Sequence, residues 1–529
     1  MSVIRNPVLC GFNPDPSFLR VGDDYYLATS TFEWFPGVQI HHSRDLVHWH
    51  LLGHILTEKR LLDLRGIPDS GGVWAPSLSW NNGKFFLVYT NVRTCGFRRP
   101  YKDTPVYLIT SKDILGPWTD PVHLSSSGFD PSLFHDDDGR KWLVNMAWDF
   151  RKDHSRFDGI TAQEYDHTNR RLVGSVTNIL RKNELIEGPN IYKRNGLYYL
   201  MLAEGGTGWN HGIAMARAPR ITGPYELDPE GSVLTSRNDE KLELQKAGHG
   251  EIVETQSGDW YLAHLCSRPV GVDGSRRCTL GRETALQKVV WMEDGWLRLA
   301  SRGTAPQVEV PAPKELRQTP WPPVPTRDDF NAATVNVNWS SPRIPVDESW
   351  LTLLERPGWL RLRGRDSVFS LFEQSLIARR LQAFHVRVET CLEFDPENYN
   401  QMAGLICWYD TRTHYYLRVT HDEKLGKILG IILTDDGACD ELTASQVVIN
   451  DWKQCYLRVE VNFQDLQFSA SSDGLAWELI GPVLDATKLS DDYGQNILHF
   501  TGAFIGLCAQ DLAGTRAIAD FDYFIMRNL

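Results

Sequence analysis

Five stretches of the sequence repeat one plan, and three of them carry an acid where an acid is costly. In "GFNPDPSFLRVGDDYYLATST" (11–31) Asp15 precedes Pro16, and in "GFDPSLFHDDDGRKWLVNMAW" (128–148) Asp130 precedes Pro131. In "IEGPNIYKRNGLYYLMLAEG" (186–205) Glu187 stands two places before Pro189. "VWAPSLSWNNGKFFLVYTNV" (73–92) and "GHGEIVETQSGDWYLAHLCS" (248–267) complete the set, with Ala75 before Pro76 and His249 before Gly250. A single Asp before Pro is ordinarily a turn residue. Three carboxyl groups sharing a pocket are costly, because like charges raise each other's pKa and invite water. Such a trio suits glycoside hydrolysis. One acid protonates the leaving oxygen, a carboxylate activates water or attacks carbon, and a third holds the acid's pKa up and orients it.

The elements that would bring them together are legible in the repeat. The landmark residues Pro16, Pro76, Pro131, Pro189 and Gly250 are separated by 60, 55, 58 and 61 residues. After each comes a short apolar run, a turn with glycine (Gly22, Gly83, Gly139, Gly196, Gly258) and an aromatic-rich run, which together read as a hairpin. "VQIHHSRDLVHW" and "VYLITSKDILGPW" read as outer strands. A four-stranded unit at this period is a propeller blade, so five copies predict a five-bladed β-propeller over residues 1–303. The first strand of each blade lines the axis, which sends blades one, three and four each to deliver an acid to one ring. "HDDDG" (135–139) reads as the turn of the third hairpin, and His41–His42 as sheet surface rather than a metal pair. His249, at the axis, is open to three roles: touching substrate, holding a cation through water, or a structural hydrogen bond.

Residues 304–326 hold "APQVEVPAPKELRQTPWPPVPT", a proline-crowded extended linker. Beyond it, "HVRVETCLEF", "HYYLRVTH", "CYLRVEVNF" and "AIADFDYFIMR" alternate with period two and predict a β-sandwich over 327–529. A chain of 529 residues is in any case too long for one ordinary core.

The formal net charge of −12 argues against nucleic acid or an anionic membrane surface as partner. The generous aromatic content (Trp 18, Tyr 18, Phe 22) suits the apolar faces of sugar rings. No signal peptide or membrane-spanning run is read. Nine scattered cysteines without C-x-x-C spacing predict neither a disulfide framework nor a zinc site, and a cytoplasmic location fits.

"NPDPS", "VWAPS", "FDPSLF", "IEGPN" and "GHGEIVET" together resemble the motif set of glycoside hydrolase family 43, in the variety where a five-bladed propeller is followed by a concanavalin-like, lectin-type sandwich. The resemblance implies an exo-acting, inverting 1,4-β-D-xylosidase with α-L-arabinofuranosidase side activity. Asp15 would be the general base, Glu187 the general acid, and Asp130 the residue that raises and orients that acid. Arg282 in "LGRET" would bond sugar hydroxyls; Phe32, Trp74 and Trp148 would wall the subsite, and Thr207 in "EGGTGW" would line it. A sandwich loop matching "FTGAFIGLCAQD" would insert an aromatic over the channel, expected to be Phe504, with a strand residue facing the sandwich core as the alternative. No organic cofactor is required, a Ca2+ near the axis occurs in some relatives, and a homo-oligomer (dimer or tetramer) is implied. An α-L-arabinofuranosidase is the nearest rival. A non-catalytic carbohydrate-binding protein would lack the acid or the base.

Overall fold

The computed structural model describes residues 2–529 apart from 96–99, 273–274, 315 and 495–498. Among these the chain is all-β, with only two short 3-10 turns, Thr443–Ser445 and Ala486–Lys488. Five antiparallel sheets, each with strands in chain order from the inside outward, form the propeller. Their innermost strands are Ser17–Val21, Gly72–Asn81, Gly128–His135, Ile186–Arg194 and Gln245–Glu254, and these touch one another around the ring.

The ring must close between the first and last blades. Glu251 of the fifth blade accepts from Ser17 Oγ and from Phe18 N at 2.7 Å. Asn6 exchanges hydrogen bonds with the Leu286 backbone, and Val3–Arg5 pairs with Glu309–Pro311 of the proline-rich segment. That segment thus lies over the propeller and locks its N-terminal strand.

The sandwich comprises two antiparallel sheets, and one of them is apolar on both faces. Ile377, Leu405, Leu417, Ile505 and Leu507 point into the sandwich core, whereas Leu376, Ala378, Ile406, Trp408, Tyr416, Phe504 and Cys508 pack with Phe12, Phe32 and Trp34 of the propeller. Period-two alternation puts successive residues on opposite faces, so near-continuous apolar runs mark strands buried on both sides. One face of that sheet is consumed by docking, and the two domains share a core.

Around that shared core lies a polar cluster of Glu33, Asp69 and Asp410, into which Arg343 reaches and on which Arg412 acts at Asp410. Arg343 reaches Asp69 at 2.7 Å, and Ser70 N donates to Glu33. Burial, then the Asp69 carboxylate, push Glu33 up to about 8 despite Arg343. The sign of the consequence is fixed. The unfolded chain loses this proton near pH 4.5 while the folded protein keeps it to about 8. Stability therefore falls as pH rises through that window, by about 1.4 kcal/mol per unit for one such group. Glu33→Gln keeps the shape and removes the charge. Its Tm should exceed that of the wild type at pH 8 and match it at pH 5 in thermal melts.

His41 and His42 depart from the expected surface positions, since both are buried. His42 stacks on Tyr26 and bonds Asp24, and the linker's Trp321 covers this sheet.

Candidate active site

Each innermost strand, or the residues leading into it, turns at the same repeat position, and the turn aims the side chains. Asp15, Ala75, Asp130, Gly188 and His249 all have positive φ, at 53°, 30°, 53°, 54° and 43°. In blades two to five the strand register shifts across this point. A bulge with a residue in the left-handed region re-aims the chain, here toward the axis, and is costly for a residue with a Cβ. Four non-glycine residues accept that cost in one ring. At the fifth, a Cβ on Gly188 would come within 2.8 Å of the His249 ring, so only glycine fits.

The result is one cavity of about 450 Å³, whose walls include Asp15, Asp130 and Glu187. Asp15 accepts from Arg282 Nη1 at 2.8 Å and from Ser30 Oγ at 2.7 Å. His249 Nδ1 stands 3.9 Å from the same carboxylate. Burial alone would raise Asp15, but the Arg282 guanidinium, His249 and the Ser30 hydroxyl hold it below the usual carboxylate value. Glu187 experiences the reverse. Burial and then the negative charge of Asp15 push it up to about 7, against Arg282 and Lys102. Asp130 is also driven well up, by burial and then by Glu187 and Asp15, with the Gly188 N–H and Arg282 acting the other way. Two interacting acids held up in this way titrate as a unit and keep a proton between them at neutral pH. One cavity therefore holds a carboxylate kept ionised and two acids whose burial favours the protonated form.

The other expected residues fall at the same cavity with one exception. Phe32, Trp74, Trp148, Thr207, His249 and Arg282 all line it. Arg282 is buried rather than solvent-paired, and also bonds Thr207 Oγ1 at 3.1 Å and Phe500 O at 3.0 Å. The glycine before it is required: Gly281 has a φ of 72°, and a Cβ there would strike Thr501 O at 2.3 Å. Burial lowers the His249 pKa, against the pull of Asp15, so the ring is neutral near pH 7. Among the described residues no group of three or more His, Cys, Asp or Glu side chains is arranged to hold a metal.

Phe504 is the exception. It opens the strand Phe504–Asp511, is wholly buried, and stacks on Trp34 at 3.7 Å between the domains. The aromatic that reaches the cavity is Phe500, four residues earlier in the same loop. Its N–H donates to Ser70 Oγ, and its ring meets Trp74 edge-on at 5.5 Å. Strand geometry decides between the two: once the sheet begins at Phe504, side-chain direction is fixed by the pleat, whereas Phe500 lies before it. Lys102 was not foreseen. Its ammonium lies over the rings of Trp148 at 4.8 Å and Trp74 at 5.4 Å, yet it comes from a loop outside the repeat. Phe129, one position before Asp130, lines the cavity as Trp74 does in blade two.

Comparison with known proteins follows the same outline. Residues 4–297 match glycosyl hydrolases family 43, and residues 327–527 match the β-xylosidase C-terminal concanavalin A-like domain. The chain is 46% identical to a xylan 1,3-β-xylosidase of a Vibrio species, over 99% of each. It is 45% identical to xylosidase/arabinosidase 43B of Humicola insolens, covering 100% of this chain and 98% of that one. Among solved structures it superposes on the xylan β-1,4-xylosidase from Bacillus halodurans C-125 with a TM-score of 0.96 at 52% identity, covering 99% and 100% of the two chains. With the bulged propeller ring, three carboxyl groups lining one cavity and these matches together, the chain belongs to glycoside hydrolase family 43.

Proposed function

We propose that the enzyme is an exo-acting, inverting β-D-xylosidase that releases D-xylose from the non-reducing ends of short 1,4-linked xylo-oligosaccharides, with α-L-arabinofuranosidase side activity. The observation that carries this reading is the contrast within one cavity between Asp15, held ionised beside Arg282, and Glu187, held up at about 7. Hydrolysis with inversion needs such a pair on opposite sides of the bond.

In this reading Asp15 is the general base. It takes a proton from a water that attacks the anomeric carbon from the face opposite the leaving oxygen. Glu187 gives its proton to the glycosidic oxygen as that bond breaks, so the leaving sugar departs as an alcohol. Asp130 interacts with Glu187 and orients it, while burial and the Asp15 charge keep the acid's proton affinity high. The rings of Phe32, Trp74 and Trp148 suit the apolar face of a pentose, and Arg282, Thr207 and His249 suit its hydroxyls. Phe500 narrows the cavity from the sandwich side, which favours a chain terminus over a chain interior.

The names of the relatives support xylose as the sugar and arabinose as a second one. They divide over the linkage, 1,3 in one and 1,4 in another. With xylotetraose, early products should be xylose and xylotriose alone, and 1,3-linked xylobiose should be cleaved more slowly than the 1,4-linked isomer. Nitrophenyl β-D-xyloside should turn over faster than nitrophenyl α-L-arabinofuranoside. Early release of xylobiose from xylotetraose, or the opposite order on either pair, would overturn the reading. A cytoplasmic location and a homo-oligomer, dimer or tetramer, belong to the same proposal. Supporting them are described cysteines joined by no disulfide and the exposed Leu479 and Val483 on the outermost strand of the sandwich.

A further inference from the structure

A second cavity, of about 390 Å³, lies under the proline-rich segment where blade one meets the sandwich. Its lining is unlike the rest of the surface. The chain has more acids than bases, 67 against 55, yet no Asp or Glu is among the described residues that line this cavity. Arg379, Arg380, His41, His48 and His50 do line it, together with amides from Asn13, Gln39 and Gln382. The acids nearest in sequence to this wall are already engaged: Asp15 by Arg282, Asp45 by His48 and by Thr319 N, and Asp328, whose charge also acts on Arg379, by the Trp339 indole.

Arg380 is the most telling group. It is 7% exposed, and among the described residues neither it nor Arg379 makes an ion pair. Arg380 Nε donates to Phe12 O at 3.0 Å, its guanidinium sits 5.5 Å from the Phe504 ring, and its Nη2 has no partner. Two further buried nitrogens on the same walls are also without partners, His41 Nδ1 and the indole Nε1 of Trp321. A buried guanidinium without a counter-charge is costly, because one hydrogen bond and two ring contacts offset its desolvation only in part. A planar guanidinium fork matches the oxygens of a carboxylate or phosphate, and additional N–H donors strengthen such a match.

We propose that this cavity is a binding site for a small oxyanion, phosphate or carboxylate, held by Arg380 with the Trp321 indole and His41 as further partners. The site is separate from the sugar cavity, since Arg380, His41 and Trp321 do not line the latter. It does not depend on which sugar the propeller takes. It borders Cys10 and Asn13, the segment that leads into Asp15.

The test is calorimetric titration of the full chain at low ionic strength, with inorganic phosphate in one arm and acetate in the other. Saturable binding of at least one anion, at one site per chain, is expected, and the arm that binds identifies the source. Arg380→Gln should weaken it by about tenfold or more, as loss of a charge-assisted hydrogen bond would. Trp321→Phe lies on the outer wall, keeps the packing and removes one donor, so it should weaken binding severalfold even if Arg380→Gln fails to fold. Anions binding elsewhere, including beside Arg282, would be indifferent to both changes. The proposal is overturned by no saturable binding of either anion to the wild type. It is equally overturned by binding that Trp321→Phe leaves intact, whatever Arg380→Gln does.

Discussion

Glu187→Gln should lose about 10³-fold in kcat/KM on xylobiose while keeping most of its rate on a nitrophenyl xyloside. General-acid assistance is worth about 10²–10⁴-fold, and it is needed in proportion to how poorly the leaving oxygen carries negative charge. A sugar hydroxyl leaves badly without a proton, and a nitrophenolate leaves well alone. Glutamine retains the size and polarity of the side chain, so the pocket should be preserved. The same side chain sets the pH dependence. The acid must be protonated to act, and burial with the Asp15 charge holds it at about 7. Activity of the wild type on xylobiose should therefore fall as pH rises through about 7, and this limb should be missing from the nitrophenyl activity of the variant. Initial rates on both substrates over pH 5 to 9 provide the check. An equal loss on the two substrates would remove Glu187 from the role of acid.

Asp15→Asn should show a different pattern, a loss of about 10³–10⁴-fold that is the same for good and poor leaving groups. Without a base, water is not activated, and no leaving group compensates for that. The wild-type carboxylate is fixed by Arg282 at 2.8 Å and Ser30 at 2.7 Å, and an asparagine oxygen can still accept one of these bonds. The substitution therefore tests proton acceptance more than pocket shape. A variant with normal kcat and a raised KM would show that Asp15 merely binds sugar.

What the sequence made legible was whatever the repeat repeats. Asp15, Asp130, Glu187 and His249 could be aligned because the positive-φ position recurs in every blade, and proline or glycine marks it each time. Arg282 was legible through a neighbour, since Gly281 is there to let Thr501 of the sandwich approach. Lys102 was not, because the loop joining the second and third strands differs in length and sequence from blade to blade, and its place depends on three rings that only the fold assembles. Phe500 and Phe504 differ by four residues. Choosing between them needed the point at which a strand begins, which alternation alone does not fix to that precision. The polar cluster of Glu33, Asp69 and Asp410 was beyond reach for a further reason. Its members are distant in sequence and become a cluster only when the sandwich docks. His41 and His42 are hidden in a related way: Arg380 of the sandwich lies beside His41 and Trp321 of the linker packs on His42.

Inversion requires water to attack from one side while the acid acts on the other, and the configuration of the first product reports this directly. Hydrolysis of 1,4-linked xylobiose, followed by proton NMR in the first minutes before mutarotation, should show α-xylose accumulating first from the non-reducing unit. The β anomer appearing first would mean retention, and the pairing of Asp15 with Glu187 as base and acid would be wrong.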